Sequence, residues 1–438
     1  MKTILTTVLL AATGMAGYAQ ADDGLWSYDD CVEYARTHNI SLQQAHLAGE
    51  TARYSLEGAK GQWQPTLDFS TTQGYSNAPW GNGNKNSYTS NYGLNASWTV
   101  YNGGQRENDI KKSRLQVEME DYSADNIFRN LQTDMLSVYI NLLYARESIA
   151  INEEAVKVSE AQAARALELM NSGRMSRVDY SQLEAQAEQD RYNLVSARSN
   201  YDTQRMSLKK LLELGIDRTV DVQGYDWSDS DVLAPVAPLE ESYRLALATD
   251  AQLKYDALSI QSAELDIKSA QSGRYPTISL NAGVGAGYFA PTGGAGGFGT
   301  QMKQSFGESI GLTLSVPIFD QKKTKTAVAK ARVQKLNADL DREQRENEIA
   351  QTVEGWYIDL KSAQARYVAG QENLKAAMLS DEQINERYQL GYVDVIELMQ
   401  SHSTLLSARH ELLQAKYMAM LGHKMIEFYR TSTVNMDK

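Results

Sequence analysis

Gly58-Ala-Lys-Gly-Gln-Trp-Gln-Pro-Thr-Leu67 and Ser269-Ala-Gln-Ser-Gly-Arg-Tyr-Pro-Thr-Ile278 are one passage written twice. In each, a proline-free helical stretch runs into an aromatic residue and a proline, and an alternating apolar stretch comes after. Proline lacks an N–H and restricts the residue before it, so it ends the helix. Period-two alternation then marks a strand. The match extends outward in both directions. Pro65 falls on Pro276, Ala35 on Ala246 and Asn39 on Asp250. Further along, Tyr139-Ile-Asn-Leu142 falls on Tyr357-Ile-Asp-Leu360, and Gly173 on Gly391. The spacing grows by seven between about residues 69 and 98, so one loop is longer in the second copy. The chain is a two-fold internal repeat.

Each copy reads as helix, two strands, a very long helix, a turn and a further helix. The first repeat covers 22–214 and the second 239–430, with a tail at 431–438. The first helix spans roughly Tyr28 to Gln62. The long helix of the first copy spans roughly Gly104 to Ser172, about 100 Å at 1.5 Å per residue. Its seam is Leu131, Met135, Val138, Leu142, Ala145, Ile149, Val156, Ala163, Ala166 and Met170, with coiled-coil spacing. Ile349, Val353, Trp356, Leu360, Ala363, Tyr367, Leu374, Ala377, Ile384 and Tyr388 repeat it. This stripe is a helix–helix core. Tyr28–Gln62 and Val178–Leu214, stacked end to end, would cover one long helix. All seven prolines lie outside these helices. Residues 215–238, with Gly215, Gly224, Pro235, Pro238 and many Asp, link the copies where the shorter helices meet.

Four segments alternate with period two. Leu67, Phe69 and Tyr75 share one face of the first. Tyr92, Leu94, Ala96, Trp98 and Val100 line the second. Ile278, Leu280, Ala282, Val284, Ala286 and Tyr288 line the third, and Ile310, Leu312, Leu314, Val316 and Ile318 the fourth. The opposite faces carry Gly, Ser, Thr and Asn. About ten residues is the span of a tilted outer-membrane strand. Trp63, Tyr101, Tyr275 and Phe319 stand at strand ends, where an aromatic girdle belongs. Leu94, Trp98, Val284, Leu312 and Leu314 are the expected lipid-facing positions. The other reading of this pattern is a soluble, half-buried sheet.

The 438 residues are 42% hydrophobic and 22% charged, which excludes a disordered chain and a helical membrane bundle. A formal charge of −12 argues against nucleic acid as a partner. Cys31 is the single cysteine, so neither an internal disulfide nor a cysteine metal cluster forms. The five histidines are scattered, and neither metal nor cofactor is expected. Met1-Lys2, the apolar run Ile4–Ala12 and small residues at Ala19 and Ala21 read as a signal peptide over 1–21. Cleavage is expected after Ala19 or Ala21. Cys31 has no lipobox before it. Beyond the signal no run of 18 apolar residues occurs, so any membrane crossing falls to strands.

Four strands cannot close a membrane barrel, whose smallest form has about eight. An open edge in lipid costs several kcal/mol per unpaired backbone group. The chain must therefore oligomerise, and three copies make a 12-stranded barrel with a wet lumen. An eight-stranded dimer would be filled by its own side chains.

The residues around each helical turn carry a resemblance. Glu168-Leu-Met-Asn-Ser-Gly-Arg-Met-Ser-Arg-Val-Asp-Tyr180, followed by Gln182-Leu-Glu-Ala-Gln186, resembles the turn signature of TolC-like outer-membrane efflux proteins. So does Arg387-Tyr-Gln-Leu-Gly-Tyr-Val-Asp-Val-Ile-Glu-Leu398, followed by Leu405-Leu-Ser-Ala-Arg409. Gly173 leads to Asp179 and Gly391 to Glu397, and the resemblance covers nearly the whole mature chain. It implies a homotrimer in the outer membrane, mainly α with membrane β. The 12-stranded β-barrel would sit in the membrane and a 12-helix α-barrel in the periplasm. It also implies an export conduit, in an efflux pump or a type I secretion system. Its partners would be a periplasmic adaptor and an inner-membrane efflux or ABC transporter. Cargo stays open between drugs, metals and proteins.

The implied gate lies at Gly173, Arg174, Arg177, Asp179, Tyr388, Gly391, Tyr392, Asp394 and Glu397. The sequence departs from the family pattern at Arg174 and Tyr392, which come directly after the glycines. It also departs at Val393, where an arginine is usual, and at Gln400, where an acidic residue is. Three copies would gather six acidic groups from Asp179 and Glu397 near the axis. Arg174 and Arg177 are expected to pair with Asp394 or Glu397 of the neighbouring hairpin, braced by Tyr388.

Two enzyme-like motifs fail on context. Gly294-Ala-Gly-Gly-Phe-Gly299 fits the dinucleotide fingerprint but precedes another strand and reads as a flexible extracellular loop. His410-Glu-Leu-Leu-Gln414 lacks the second histidine of a zinc helix. No enzyme is expected. The competing function is a periplasmic coiled-coil scaffold or adaptor that never enters the membrane.

Overall fold

The computed structural model describes residues 25–77, 79–80, 86–291 and 296–436. The expected signal peptide lies outside them. The chain forms two compact units, each discontinuous in sequence.

One unit gathers Gln44–Ile127 and Asp250–Glu348. It holds an antiparallel sheet of β1 (Thr66–Asn77), β2 (Asn86–Asn102), β3 (Thr277–Pro291) and β4 (Gly307–Ser315), in that spatial order. Helix α2 (Ile40–Gly61) leads into β1 and α7 (Ala251–Ser272) into β3. Helices α3 (Gln105–Asn171) and α9 (Lys323–Gln389), each of 67 residues, leave from β2 and β4.

Two strand expectations need correction. Val100 does not continue the apolar row of β2. A bulge falls between Thr99 and Tyr101, so Tyr101 rather than Val100 pairs with Ile278. A bulge adds one unpaired residue and re-aims the side chains beyond it, which a strict alternation cannot show. The fourth strand stops at Ser315 and excludes Val316 and Ile318. Pro317 cannot donate to the ladder and ends it.

The second β–β connection is the longer one, and it contains α8 (Phe298–Ser305) where the sequence predicted only loop. Gly294 and Ala295 lie outside the described residues. β4 pairs with β3 only up to Gly285. Beyond that, α8 supplies the missing partners. Gly287 N–H donates to Ser305 Oγ at 2.9 Å, and Ser305 Oγ donates to Gly287 O at 2.7 Å. Phe289 N–H and C=O both bond the Gln301 amide. Two side chains thus replace a strand edge, and their spacing carries no strand-like or helical period to announce it.

The other unit gathers Met1–Gln43, Phe128–Thr249 and Ile349–Lys438. It contains α1 (Tyr28–His38), α4 (Arg177–Leu211), α5 (Asp229–Val232), α6 (Leu239–Thr249) and α10 (Val395–Thr431). The first helix is therefore not continuous from Tyr28 to Gln62. It breaks at Asn39, whose backbone is extended and whose Oδ1 accepts from Leu42 N–H at 3.2 Å. Asp250 caps α7 in the same way, accepting from Leu253 N–H at 2.9 Å. A short polar side chain that satisfies the first orphan N–H groups lets a helix restart. Apolar periodicity alone runs straight through such a break.

The core of this unit lies against the middle of α3. Met135, Leu136, Tyr139, Ile140, Leu142 and Leu143 are fully buried, more than a single seam requires. The surplus faces the linker. Trp26 bridges Val222 in parallel. The Tyr139 hydroxyl lies 2.9 Å from the carbonyls of both Trp26 and Gln223. Arg146 donates to Val222 O at 2.7 Å. The matching positions of α9 do the same work. Tyr357 donates to Ala237 O, and Gln364 to Val232 O and Ala234 O.

Candidate functional site

The sheet is the first candidate, and pairing register fixes its faces. Leu67, Ala96, Ala282 and Ile310 form one cross-strand row, and Phe69, Leu94, Val284 and Glu308 the next. On the same face lie Trp98, Leu280 and Leu312, then Tyr101, Ile278 and Leu314. All five predicted lipid-facing residues thus share one surface. Phe69, Ile310 and Leu312 are about 70% exposed or more, although each could have been buried by a soluble core. The other face carries rows such as Asp68, Asn95, Gly283, Ser309 and Thr66, Ser97, Asn281, Gly311. A small polar face opposite an exposed apolar one suits lumen and lipid.

The same register gathers a distal band from tyrosines that the alternation had placed only row by row, and adds Tyr88 to it. Tyr75, Tyr88, Tyr92 and Tyr288 sit on the apolar face at the end distal to the long helices, among Gln73 and Ser90. Tyr88 and Tyr288 rings lie 6.4 Å apart, and Phe298 of α8 packs 5.3 Å from Tyr288. With Trp63, Tyr101, Tyr275 and Phe319 at the proximal end, the sheet has aromatic residues at both ends of its apolar band. Tyr88, thirteen residues after Tyr75, gave no signal until the hairpin set it opposite that tyrosine.

The second candidate is the pair of helical turns. Gly173 (φ +73°) and Gly391 (φ +81°) end the long helices in the left-handed conformation. Arg174 N–H reaches Leu169 O at 2.8 Å and Tyr392 N–H reaches Arg387 O at 2.9 Å, closing the same motif twice. Only glycine takes this φ without steric cost. Ser176 then caps α4, accepting from Asp179 N–H at 3.1 Å. Asp394 caps α10, accepting from Glu397 N–H at 2.9 Å. Asp179 and Glu397 lie in first helical turns, where the dipole favours a carboxylate.

Within the chain, the two turns meet through an apolar cluster. Ala166, Leu183, Val395 and Leu398 are buried, with Met175, Tyr180, Ile384, Tyr388 and Met399 packed around them. Burial, and then the charge of Asp179, raise the Tyr388 hydroxyl pKa against the opposing Arg165. Asp179 and Tyr388 are therefore brought together. Arg174, Arg177 and Tyr392 are exposed, and neither arginine forms an ion pair among the described residues. Ala377, Ile384, Asp394, Ile396, Glu397 and Thr404 help line a groove of about 490 Å³ between α9 and α10. Asp190 of α4 and His402 of α10 were also missed. They are buried and face each other at 3.4 Å, with Gln186 donating to Asp190 at 3.0 Å. A lone Asp and a lone His on separate helices give no sequence cue.

A model of the outer membrane efflux protein family matches residues 32–213 and 242–420. The chain is 23% identical over 429 residues to Outer membrane protein TolC of Escherichia coli (strain K12), covering 95% of this chain and 84% of that protein. It is 22% identical over 385 residues to Alkaline protease secretion protein AprF of Pseudomonas aeruginosa, covering 77% and 75%. Its fold is similar to the Campylobacter jejuni CmeC outer membrane channel, with a TM-score of 0.75 at 17% identity over 94% and 87% of the two chains. The matched residues carry both the apolar-faced sheet and the capped helical turns. The chain belongs to the outer membrane efflux protein family: it is an outer-membrane export channel whose helices extend into the periplasm, and not an enzyme.

Proposed function

We propose that three copies close one 12-stranded barrel and carry cargo outward from an inner-membrane transporter through a periplasmic adaptor. The observation that carries this reading is the sheet itself. Its order leaves β1 and β4 as open edges, while its apolar face is exposed. Lipid can cover the face but cannot satisfy the edges. A neighbouring copy satisfies both at once, β4 of one against β1 of the next. The similarity to a protease secretion protein, within the outer membrane efflux protein family, leaves small-molecule efflux and type I secretion as cargo routes. We read the halves 22–214 and 239–430 as duplicated conduit walls joined by the linker at 215–238.

The helical turns are the proposed gate. Arg174 and Arg177 find no carboxylate among the described residues of their own chain, so the pairing we assign them is with Asp394 or Glu397 of an adjacent copy. The groove beside Asp394 and Glu397 offers an adaptor an acidic, partly apolar seat. Purified trimers in a planar bilayer test the conduit directly. Discrete single-channel currents are the expected result, and a trimer that inserts yet never conducts would refute it.

A further inference from the structure

The end of the sheet where helices enter and leave is at once basic and apolar. Antiparallel order places all four strand–helix junctions there. They also touch. Trp98 Nε1 donates to Trp63 O at 3.0 Å, and the Arg106 guanidinium lies 4.5 Å over the Trp63 ring. Thr324 Oγ1 donates to Gly273 O at 3.4 Å. A Cβ on Gly103 would stand 2.7 Å from Ser272 O and 2.9 Å from Tyr275 Cβ.

Lys60, Arg274, Lys322, Lys323 and Lys325 are exposed on these junctions, and none forms an ion pair among the described residues. The whole chain carries −12, whereas Asp320-Gln-Lys-Lys-Thr-Lys325 on this rim carries three lysines against one aspartate, whose carboxylate already accepts from Thr324 N–H. Beside it, just past the end of β4, Ile318 is 97% exposed and Phe319 83%. The turn after β2 uses Gly103 and Gly104 in the left-handed conformation, whereas the matching turn after β4 holds Gln321 and Lys322 there. A glycine would suit that backbone, yet a charged side chain occupies it.

We infer that this rim binds anionic phospholipid headgroups, of the phosphatidylglycerol or cardiolipin kind, in the periplasmic leaflet of the outer membrane. The inference rests on the membrane-channel reading and adds a lipid class to it. Ile318 and Phe319 reach the acyl boundary, Trp63 and Tyr275 sit at headgroup level, and the lysines extend to phosphate. Clustered bases beside a membrane-spanning element attract anionic rather than zwitterionic lipid, because the latter's amine already compensates its phosphate. The partner is argued from charge complementarity and from continuity with the lipid-facing sheet.

The test uses intact trimers in vesicles of phosphatidylethanolamine with or without phosphatidylglycerol, with native mass spectrometry of the lipids retained. Lys322→Gln, Lys323→Gln and Lys325→Gln are combined in one variant. Lys157→Gln, Lys361→Gln and Lys375→Gln form the control, with equal charge loss in the other unit. The parent and control should retain phosphatidylglycerol preferentially, and the rim variant should lose that preference. Each removed lysine should weaken retention by about fivefold at low salt, equivalent to ~1 kcal/mol per basic residue. High salt should erode the parent's preference, a readout that stands even if the rim variant fails to assemble. A parent without lipid preference, a salt-insensitive preference, or equal loss in rim and control variants would each overturn the inference. Conductance is measured in parallel, so a parent that conducts without selecting lipid fails only this inference.

Discussion

Arg174 and Arg177 stand exposed beside glycines that fix the helical turns, with no carboxylate among the described residues of their own chain to hold them. Asp394 is already occupied as an N-cap, so Glu397 is the freer acceptor for an incoming guanidinium. Arginine suits such a contact because its planar fork engages a carboxylate with two hydrogen bonds. The double variant Arg174→Ala/Arg177→Ala should raise basal conductance and antibiotic leakage several-fold without a partner protein. Intact double-mutant trimers that conduct no better than the parent would eliminate the latch and leave only the acidic ring. The glycines and the acidic positions after them were legible in sequence, because each is a local backbone requirement; the Ser176 and Asp394 N-caps were not read there. The seam position of Tyr388 was legible too, but its approach to Asp179 was not, because it depends on two turns more than two hundred residues apart.

Strands and helices make different demands. On the sheet, Leu94→Arg, Val284→Arg or Leu314→Arg should block membrane assembly, at a cost of about 2–4 kcal/mol near the bilayer midplane. Arginine at Ser97, Gly283 or Thr313 should assemble better and alter conductance, since the register puts these on the opposite face. Heat-stable trimers on gels, with conductance, would score both sets, and equal assembly defects would contradict the faces. On the helices, Gly422 of α10 is the telling position. A Cβ there would lie 2.9 Å from Leu360 Cβ of α9, and Leu360 is fully buried. Gly422→Val should lower stability by about 1–3 kcal/mol through overpacking. Denaturant unfolding followed by circular dichroism measures it, and an unchanged midpoint would mean the helices part at no cost. The strand alternation announced the faces because period two needs no tertiary partner. The bulge at Thr99–Tyr101 and the end of β4 at Ser315 depended on what each strand pairs with.

For the whole molecule, the two open edges of the sheet set the order of events. The core around Met135, Tyr139 and Leu143 is complete within one chain, whereas β1 and β4 each lack a partner on one side. Hydrogen exchange on detergent-held monomers should show slow amides across Met135–Leu143 and fast ones along the outer edges of β1 and β4. Assembly should slow the strands by at least about tenfold, since closure pairs every backbone group. Strands already protected in the monomer would remove the reason to oligomerise. The sequence by itself determined the duplicated order of elements, the helix and strand periods, the terminating prolines, the glycine turns and the apolar strand rows. All of these are local patterns, enforced by backbone sterics and by which face of an element meets water or lipid. Only the tertiary structure decided the breaks at Asn39 and Asp250, the α8 helix that completes the edge of β3, the distal tyrosine band and the Asp190–His402 contact. Each of those satisfies a polar group or fills a space that exists only once distant segments have met, so no periodicity in the chain records it.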